Sequence, residues 1–539
     1  DSGNVQSLGL GSSSTAPDGA GADGAGPGPP PPPAPPGGVG ERPVTKRCVG
    51  DPPRQTEDPL SPPCVAHFDG DNFGATYRGV HEDQIVVVMQ HSGGYCEGPT
   101  SRGPQRDCRP YDEYYDLWEP VEPDDPYLVR TVKPMQDHFN ERYQLYGRRL
   151  RVWVYFGTVD GPDYTPEISR AEARQNIADL DPFAVISTQA AYREEAAGAG
   201  VLVFGGRFGQ AEELYLRNPG RIWGYQPSVE QQARLWADFV CTKVVPYPVS
   251  FSGNGDNAQP RVLGMLHQPS WEDAELHYRT ARDLIEDCGG HIAVDGTYTY
   301  SGYVFAGESN AGEAAANIAT FQAEGVTTIL WAWGWETGHG KAAGRVNYRP
   351  EWILGGDTKH EGQQNASLQE QSVWDGHAWV VTHLPFVDTV EGTTCYRAIQ
   401  EVDPGMPEED HDSVCRYYGN LFDDLRMISI GAQVAGPRLT PESMERGFRA
   451  IPAIRSTDPS VPACFFEPGD YTCIKDGMAM WWDASGAARE GRSSSWPGCW
   501  LLAEGGARYF PGTWPEGDVL TMQDHAATRC SGHSGAAPL

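Results

Sequence analysis

DPFAVISTQAAYREEAAGAGVLVFGG, residues 181–206, holds two short apolar runs at 184–187 and 201–205, separated by an alanine-rich, helix-like stretch. Such runs, joined through a helix, read as buried parallel strands, because a strand covered on both faces has no polar side to present. The same rhythm recurs outward, at 85–89 and 150–156 before this stretch and at 262–267, 291–294, 326–331 and 352–355 after it. Two sets of four runs predict an α/β protein with two doubly wound parallel-sheet lobes and a cleft between them. Ligands of such sheets sit beyond the carboxyl ends of the strands, so functional residues are expected just after each run.

Helix signals fit between the runs. Leu128, Val132, Met135, Phe139, Tyr143 and Tyr146 recur at helical spacing and predict a core helix over 127–146, ended by Gly147. Ser169 with Glu172, Ser228 with Gln231 and Asn310 with Glu313 have capping-box spacing and predict helix starts. Residues 271–287 are expected to form a helix stopping at Cys288 and Gly289, and 413–435 a long one. Thr440-Pro441-Glu442 opens another, with proline where its missing N–H costs nothing. Beyond 460, runs at 478–483, 499–502 and 508–510 read as tail strands returning to one lobe.

Acidic residues outnumber basic ones 73 to 41 in the 539-residue chain, a net charge of −32, which argues against nucleic acid as a partner. No apolar run approaches the roughly 18 to 20 residues of a membrane helix. Asp1 reads as the start of a processed or trimmed chain. Residues 1–45 are mostly Gly, Ala, Ser and Pro, cannot bury a core, and read as a tether, which suits a protein held off a cell surface and equally a plain linker. Twelve cysteines without a CxxC suggest disulfides and an extracytoplasmic, secreted or cell-surface location. Pairing sequence neighbours joins Cys48 with Cys64, Cys96 with Cys108, Cys241 with Cys288, Cys395 with Cys415, Cys464 with Cys473 and Cys499 with Cys530, one of many connectivities the count allows. GxSxG and Walker A motifs do not occur, no GxGxxG fingerprint follows any of the strand-like runs, and His360-Glu361 lacks the second histidine of a zinc-protease helix. Asp69-Gly-Asp-Asn and Pro407-Glu-Glu-Asp-His-Asp read as solvated acidic turns. No catalytic group, metal or cofactor is expected.

The strand order, with Asp181-Pro-Phe-Ala-Val-Ile-Ser-Thr, Val201-Leu-Val-Phe-Gly-Gly, Ile222-Trp-Gly-Tyr-Gln-Pro-Ser, Arg261-Val-Leu-Gly-Met-Leu and Leu439-Thr-Pro-Glu-Ser, resembles the type 1 periplasmic-binding-protein fold. In particular it resembles the solute-binding proteins of branched-chain-amino-acid-type ABC transporters, in an actinobacterial-like form, over roughly 80–515. The resemblance implies a first lobe of 83–245 plus 385–460 and a second of 258–384 plus the tail, 461–525. A disulfide-containing extension at 46–82 precedes them and a C-terminal tail at 526–539 follows. It also implies a hinged clamp that traps a small-molecule solute between lobes and hands it to an ABC-transporter permease, without covalent chemistry.

Carried onto this chain, the ligand set is Ser187, Thr188 and Gln189 after the third strand, Arg207 and Phe208 after the fourth, and Gln226 and Ser228 at the crossover. The second lobe adds His267, Trp271, Trp333, Trp335 and Asp357. Strand-end hydroxyls and amides hold carboxylates or hydroxyls, an arginine fork clamps an anion, and tryptophan rings favour planar, cyclic or sugar-like solutes. Each has a plainer reading as a turn, a surface ion pair or core packing. Relatives often carry a small turn where this chain has Gly206-Arg207-Phe208-Gly209, and Tyr-Gly where it has Ser270-Trp271, which sets it apart from an amino-acid binder. An insertion from His91 to about Asp125 reads as a lid or a stapled surface loop. Two rival functions stand beside the clamp. One is a structural or interaction protein, self-assembling as a homo-oligomer; the other is an extracellular enzyme with an unrecognised site.

Overall fold

The computed structural model describes residues 48–49, 54–55, 58–91, 112–122, 125–158, 165–206, 209–299, 311–333, 337–355, 366–386, 392–406, 415, 419–455, 458–485, 487–488, 498–523 and 529–530. Residues 1–45, expected to be a tether, and most of the 91–125 insertion lie outside them.

The first sheet contains β1 (Gln84–His91), β2 (Glu113–Asp116), β3 (Arg149–Phe156), β4 (Ala184–Ile186) and β5 (Leu202–Phe204) in the order β2-β3-β1-β4-β5. All pairs are parallel except β2 on β3. The strands are where the apolar runs placed them. The later part of the 91–125 insertion was not foreseen as β2, an edge strand with two adjacent tyrosines flanked by Glu113 and Asp116. Around the sheet run α1 (Tyr127–Arg142), α2 (Pro166–Leu180), α3 (Ala190–Gly198) and α4 (Glu212–Arg217), joined from far along the chain by α9 (Thr394–Val402), α10 (Gly419–Ala435) and α11 (Pro441–Ala450). Val87, Val152, Val185 and Val203 share one core with Phe139, Phe422, Leu425 and Phe448.

Two helix expectations need correction. Helix α1 ends at Arg142, short of 146: Tyr143 turns extended, its N–H still donating to Phe139 O at 3.1 Å, and Tyr146 and Gly147 take positive φ. The Tyr143 hydroxyl then donates to buried Asp58 at 2.7 Å, which with Arg426 pins the chain at residue 58 to this lobe. Helix α2 is capped by Thr165, with Pro166 in its first turn, so Ser169 and Glu172 lie buried inside it. Proline's fixed φ suits the first helical position and sets the start four residues before the apparent capping box. The Ser228–Gln231 box does form, at the head of α5 (Val229–Lys243), and Thr440 caps α11 with Pro441 following it.

The second sheet has seven strands: β6 (Leu263–His267), β7 (Ile292–Thr297), β8 (Thr328–Ala332), β9 (Glu351–Gly355), β10 (Ala378–Thr382), β11 (Met478–Asp483) and β12 (Cys499–Leu502), in the order β12-β11-β10-β9-β8-β6-β7. Strands β6 to β10 are parallel, and β11 and β12 add antiparallel edges. The expected tail run at 508–510 makes only a bridge from Tyr509 to Gly477. Helices α6 (Glu272–Asp287), α7 (Ala311–Ala323) and α8 (Gly338–Arg345) flank the sheet. One face packs Met265, Leu330, Ile353 and Trp379 against α5, and the other buries Trp331, Trp352, Trp374, Trp482 and Trp500.

Helix α5, inside the 83–245 range, therefore packs on the second core, not the first. A side chain at Gly355 would fall 2.1 Å from the Trp236 indole, so glycine there lets α5 lie directly on the end of β9. Conversely Cys464, Phe466, Cys473 and Ile474 belong to the first core. The lobe-to-lobe passages thus fall between Tyr225 and Ala233, between Phe386 and Cys395, and between Ile474 and Met478.

The disulfides Cys241–Cys288, Cys395–Cys415 and Cys464–Cys473 are present as paired from neighbours. Cys64 and Cys499 are also disulfide-bonded. The pairs expected for them, and Cys96 with Cys108, involve side chains outside the described residues. Among the described residues no helix is long and apolar enough to cross a membrane.

Candidate functional site

In each sheet the direction of winding reverses between two adjacent strands, and their carboxyl ends open a crevice. In the first lobe these are β1 and β4. Ser187, just past β4, donates to Gln90 Oε1 at 2.8 Å and accepts from the Gln189 N–H at 3.0 Å. Gln90 in turn donates to Glu172 at 3.4 Å, and Glu172 also receives the Thr158 N–H at 2.6 Å and hydroxyl at 2.9 Å. The Ser187 hydroxyl is therefore committed to shaping the strand end. Thr188 beside it is exposed and Gln189 half-buried.

After β5 the chain turns through Gly205 and Gly206 at φ of 103° and 121°. A side chain at Gly205 would meet Ser187 O at 2.7 Å and one at Gly206 the Arg193 guanidinium at 2.7 Å, so both positions need glycine. Arg193, absent from the sequence-derived set, lies on α3 and is only 1% exposed. It donates to Gly205 O at 3.3 Å and to Gln210 Oε1, while its Nε has no partner. In an alanine-rich helical stretch nothing marked this arginine as inward-facing. At the crossover, buried Gln226 keeps its carbonyl oxygen unpaired. Ser228 caps α5 by accepting from the Gln231 N–H at 3.0 Å and donates to Glu212 at 3.1 Å, so its hydroxyl is spent. Arg207, Phe208, Trp335 and Asp357 lie outside the described residues.

In the second lobe the reversal falls between β6 and β8. His267 ends β6, stacked on Tyr278 at 3.5 Å, with Nδ1 at 3.0 Å from Glu275. Burial lowers its pKa, and Glu275 opposes that shift. Gln268 follows, buried, with its carbonyl oxygen unpaired. Trp333, just past β8, is fully buried at φ 51°, a conformation that costs a bulky residue about 1–3 kcal/mol and tends to mark functional sites. The surroundings hold it: its N–H donates to Gly355 O at 3.1 Å, its carbonyl accepts from Tyr298 at 3.4 Å, and half-buried Trp271 meets it edge-on at 5.8 Å. Val229 and Ala274 complete this apolar cluster where α5 begins.

Charge links the two sides. Asp273, in the first turn of α6, has its pKa raised by burial and lowered by the charge of Arg193. Burial, then Asp423, pushes Asp424 on α10 well up, against the pull of Arg193 and of the Gly205 amide. The charge of Arg193 thus reaches two carboxyl groups whose pKa burial raises.

Behind Trp333, His277 on α6 sits 5.6 Å from both Trp236 and Trp333, with neither ring nitrogen hydrogen-bonded. Burial lowers its pKa to about 3, and His383, at the end of β10, is also lowered to about 3 by burial, then by Arg508 and His277. An unfolded histidine titrates near 6.5, so below that pH the unfolded chain takes up a proton that folded His277 refuses. Stability from this group is complete above about pH 6.5 and falls as pH drops toward 3. Between pH 7.5 and 5 the wild type should lose about 2 kcal/mol relative to His277→Leu. Urea titrations of both proteins at the two pH values measure this; parallel losses would show that His277 titrates normally.

No family model matches the chain, and no curated protein matches it in sequence. Solved structures do. A solute-binding protein of an ABC transporter from R. palustris, in complex with 4-hydroxybenzoate, is 12% identical with a TM-score of 0.51, over 80% of this chain and 98% of that one. A leucine-, isoleucine-, valine-, threonine- and alanine-binding protein from Brucella ovis, in a closed conformation, is 10% identical with a TM-score of 0.52, over 81% and 98%. An ABC-transporter solute-binding protein from Rhodopseudomonas palustris HaA2, with p-hydroxybenzoic acid, is 11% identical with a TM-score of 0.51, over 80% and 98%. Two doubly wound lobes, each reversing direction at the cleft and matched over most of their length by these structures, give this chain the fold of the type 1 periplasmic binding proteins.

Proposed function

We propose that the chain is an extracytoplasmic solute-binding protein that closes its two lobes over a small molecule and delivers it to an ABC-transporter permease. The observation that carries this reading is hydrogen-bonding capacity left unspent in buried groups near both crevices: Arg193 Nε and Gln226 Oε1 on one side, Gln268 Oε1 on the other. Buried polar groups are almost always paired, so unpaired ones beside the strand reversals and the crossover suit a site that a ligand completes. The disulfides fit an oxidising compartment, and the 1–45 segment serves as a tether in this reading.

The passages near 225–233, 386–395 and 474–478 then act as the hinge. Thermal stability against a library of aromatic acids, sugars, amino acids, amides and nucleosides tests the reading. A ligand at 100 times its Kd adds about 2.7 kcal/mol. The expected result is a selective rise in Tm, with affinity weakened about tenfold or more in Trp333→Ala as ring contact is lost. Silence from every solute, especially in an oligomeric sample, would favour the interaction-protein reading instead.

A further inference from the structure

We propose that the captured solute is an organic monoanion, a carboxylate carried on a planar ring that also bears a hydroxyl or N–H donor, and that Arg193 is the residue that selects it. This rests on the solute-capture reading and narrows it to a chemical class.

The argument starts from the state of Arg193. Arginine is almost never fully buried unless paired, because a desolvated guanidinium without a counter-ion is costly. Here the side chain is buried, bonds only the neutral oxygens of Gly205 and Gln210, leaves Nε idle, and forms no ion pair with a described carboxylate. Asp273, Asp424 and Glu194 are near enough to feel its charge, yet none of them bonds the guanidinium. A directly bonded counter-charge is therefore left for a ligand. The planar fork matches a carboxylate, which accepts two parallel N–H bonds, better than any neutral oxygen. Gly206, where any side chain would press on the guanidinium at 2.7 Å, keeps that approach free.

The remaining groups describe the rest of the solute. The unpaired oxygens of Gln226 and Gln268 accept hydrogen bonds and offer none, so they call for a donor on the ligand. The Trp271–Trp333 wall calls for a flat apolar body between its polar ends. With a net charge of −32 the chain as a whole repels anions, so anion selection must come from a cation shielded inside the cleft.

The test is isothermal titration calorimetry of the full chain with benzoate, 4-hydroxybenzoate, 4-aminobenzoate and 4-hydroxycinnamate, each beside its primary amide, plus a set of neutral sugars and zwitterionic amino acids. At least one hydroxy- or amino-acid of the aromatic set should bind about tenfold or more tighter than its amide. That ratio should collapse to about threefold or less in Arg193→Gln and survive in part in Arg193→Lys, which keeps the charge but loses the fork. Because the readout is a ratio within one protein, general weakening by the substitution does not mimic it; should Arg193→Gln not fold, the wild-type ratio and Arg193→Lys still decide. Amides binding as tightly as acids, or an acid preference intact in Arg193→Gln, would overturn the proposal. Binding of a sugar or amino acid with none by the acids would sink the ligand class and leave solute capture standing. No binding by any compound would remove both.

Discussion

Arg508→Ala should cost about 3–5 kcal/mol and loosen the junction between the lobes. Arg508 comes from the tail, 2% exposed, and its Nε donates to Asp476 at 3.0 Å. Its other nitrogens reach Leu384 O at 2.9 Å, Pro459 O at 3.3 Å, His383 O at 2.7 Å and Asp476 O at 3.3 Å. Those carbonyls lie beside two of the interlobe passages, so one guanidinium fastens strands of chain that would otherwise move independently. Removing it leaves the Asp476 carboxylate buried without its counter-ion, although the Ala463 N–H still donates to it at 3.1 Å, and strips several carbonyls of partners. Arg508→Lys, with a single point of donation, should recover only part of the loss. Urea midpoints read the stability, and small-angle scattering with and without solute reads the junction. A midpoint within 1 kcal/mol of wild type would show that the passages are held by their own backbone bonds, such as Phe386 N–H to Pro459 O at 3.0 Å.

Glu351→Ala should be comparably damaging, about 3–5 kcal/mol, for a reason confined to the second lobe. Glu351 opens β9 with no exposure at all. One carboxylate oxygen accepts from the Ser250 N–H at 2.7 Å, the Phe251 N–H at 3.0 Å and Arg261 at 3.1 Å; the other accepts from Arg261 Nε at 2.7 Å and the Thr328 hydroxyl at 2.6 Å. The side chain therefore ties β9 to β8 and to the turn that leads out of α5. Arg261 would retain Asp518 at 3.3 Å, but that residue is at the rim. A double-mutant cycle with Arg261→Met separates the pair from its surroundings, and a coupling below about 0.5 kcal/mol would show that the two act independently.

The eight runs that predicted the lobes were readable because parallel strands buried on both faces must be apolar throughout, and Ser228, Gln231, Thr440 and Pro441 act locally, within one helical turn. The same signal was present and unread at Ala378–Thr382, whose apolar run stood outside the two sets of four. Thr165 was missed because its cap competes with an equally good pattern four residues on. The site was less legible. Ser187, Gln226, His267, Trp271 and Trp333 fall at crevices or the crossover as strand-end logic expects, yet the hydroxyls of Ser187 and Ser228 serve the fold itself. Arg193 carried no local mark, nor did the strained backbone of Trp333, since burial, unpaired nitrogens and strain are set by neighbours.

By itself the sequence determined the periodicity of strands and helices, hence two doubly wound lobes, and several of the helix ends, because those depend on residues a few positions apart. Only the tertiary structure decided that α5 rests on the second core through Gly355, that Arg508 fastens the lobe junction, and that Arg193 is left buried and incompletely bonded at the cleft. Each of these joins groups from distant parts of the chain or depends on what surrounds them, and the desolvation and close packing that give them their energy exist only once those parts have been brought together.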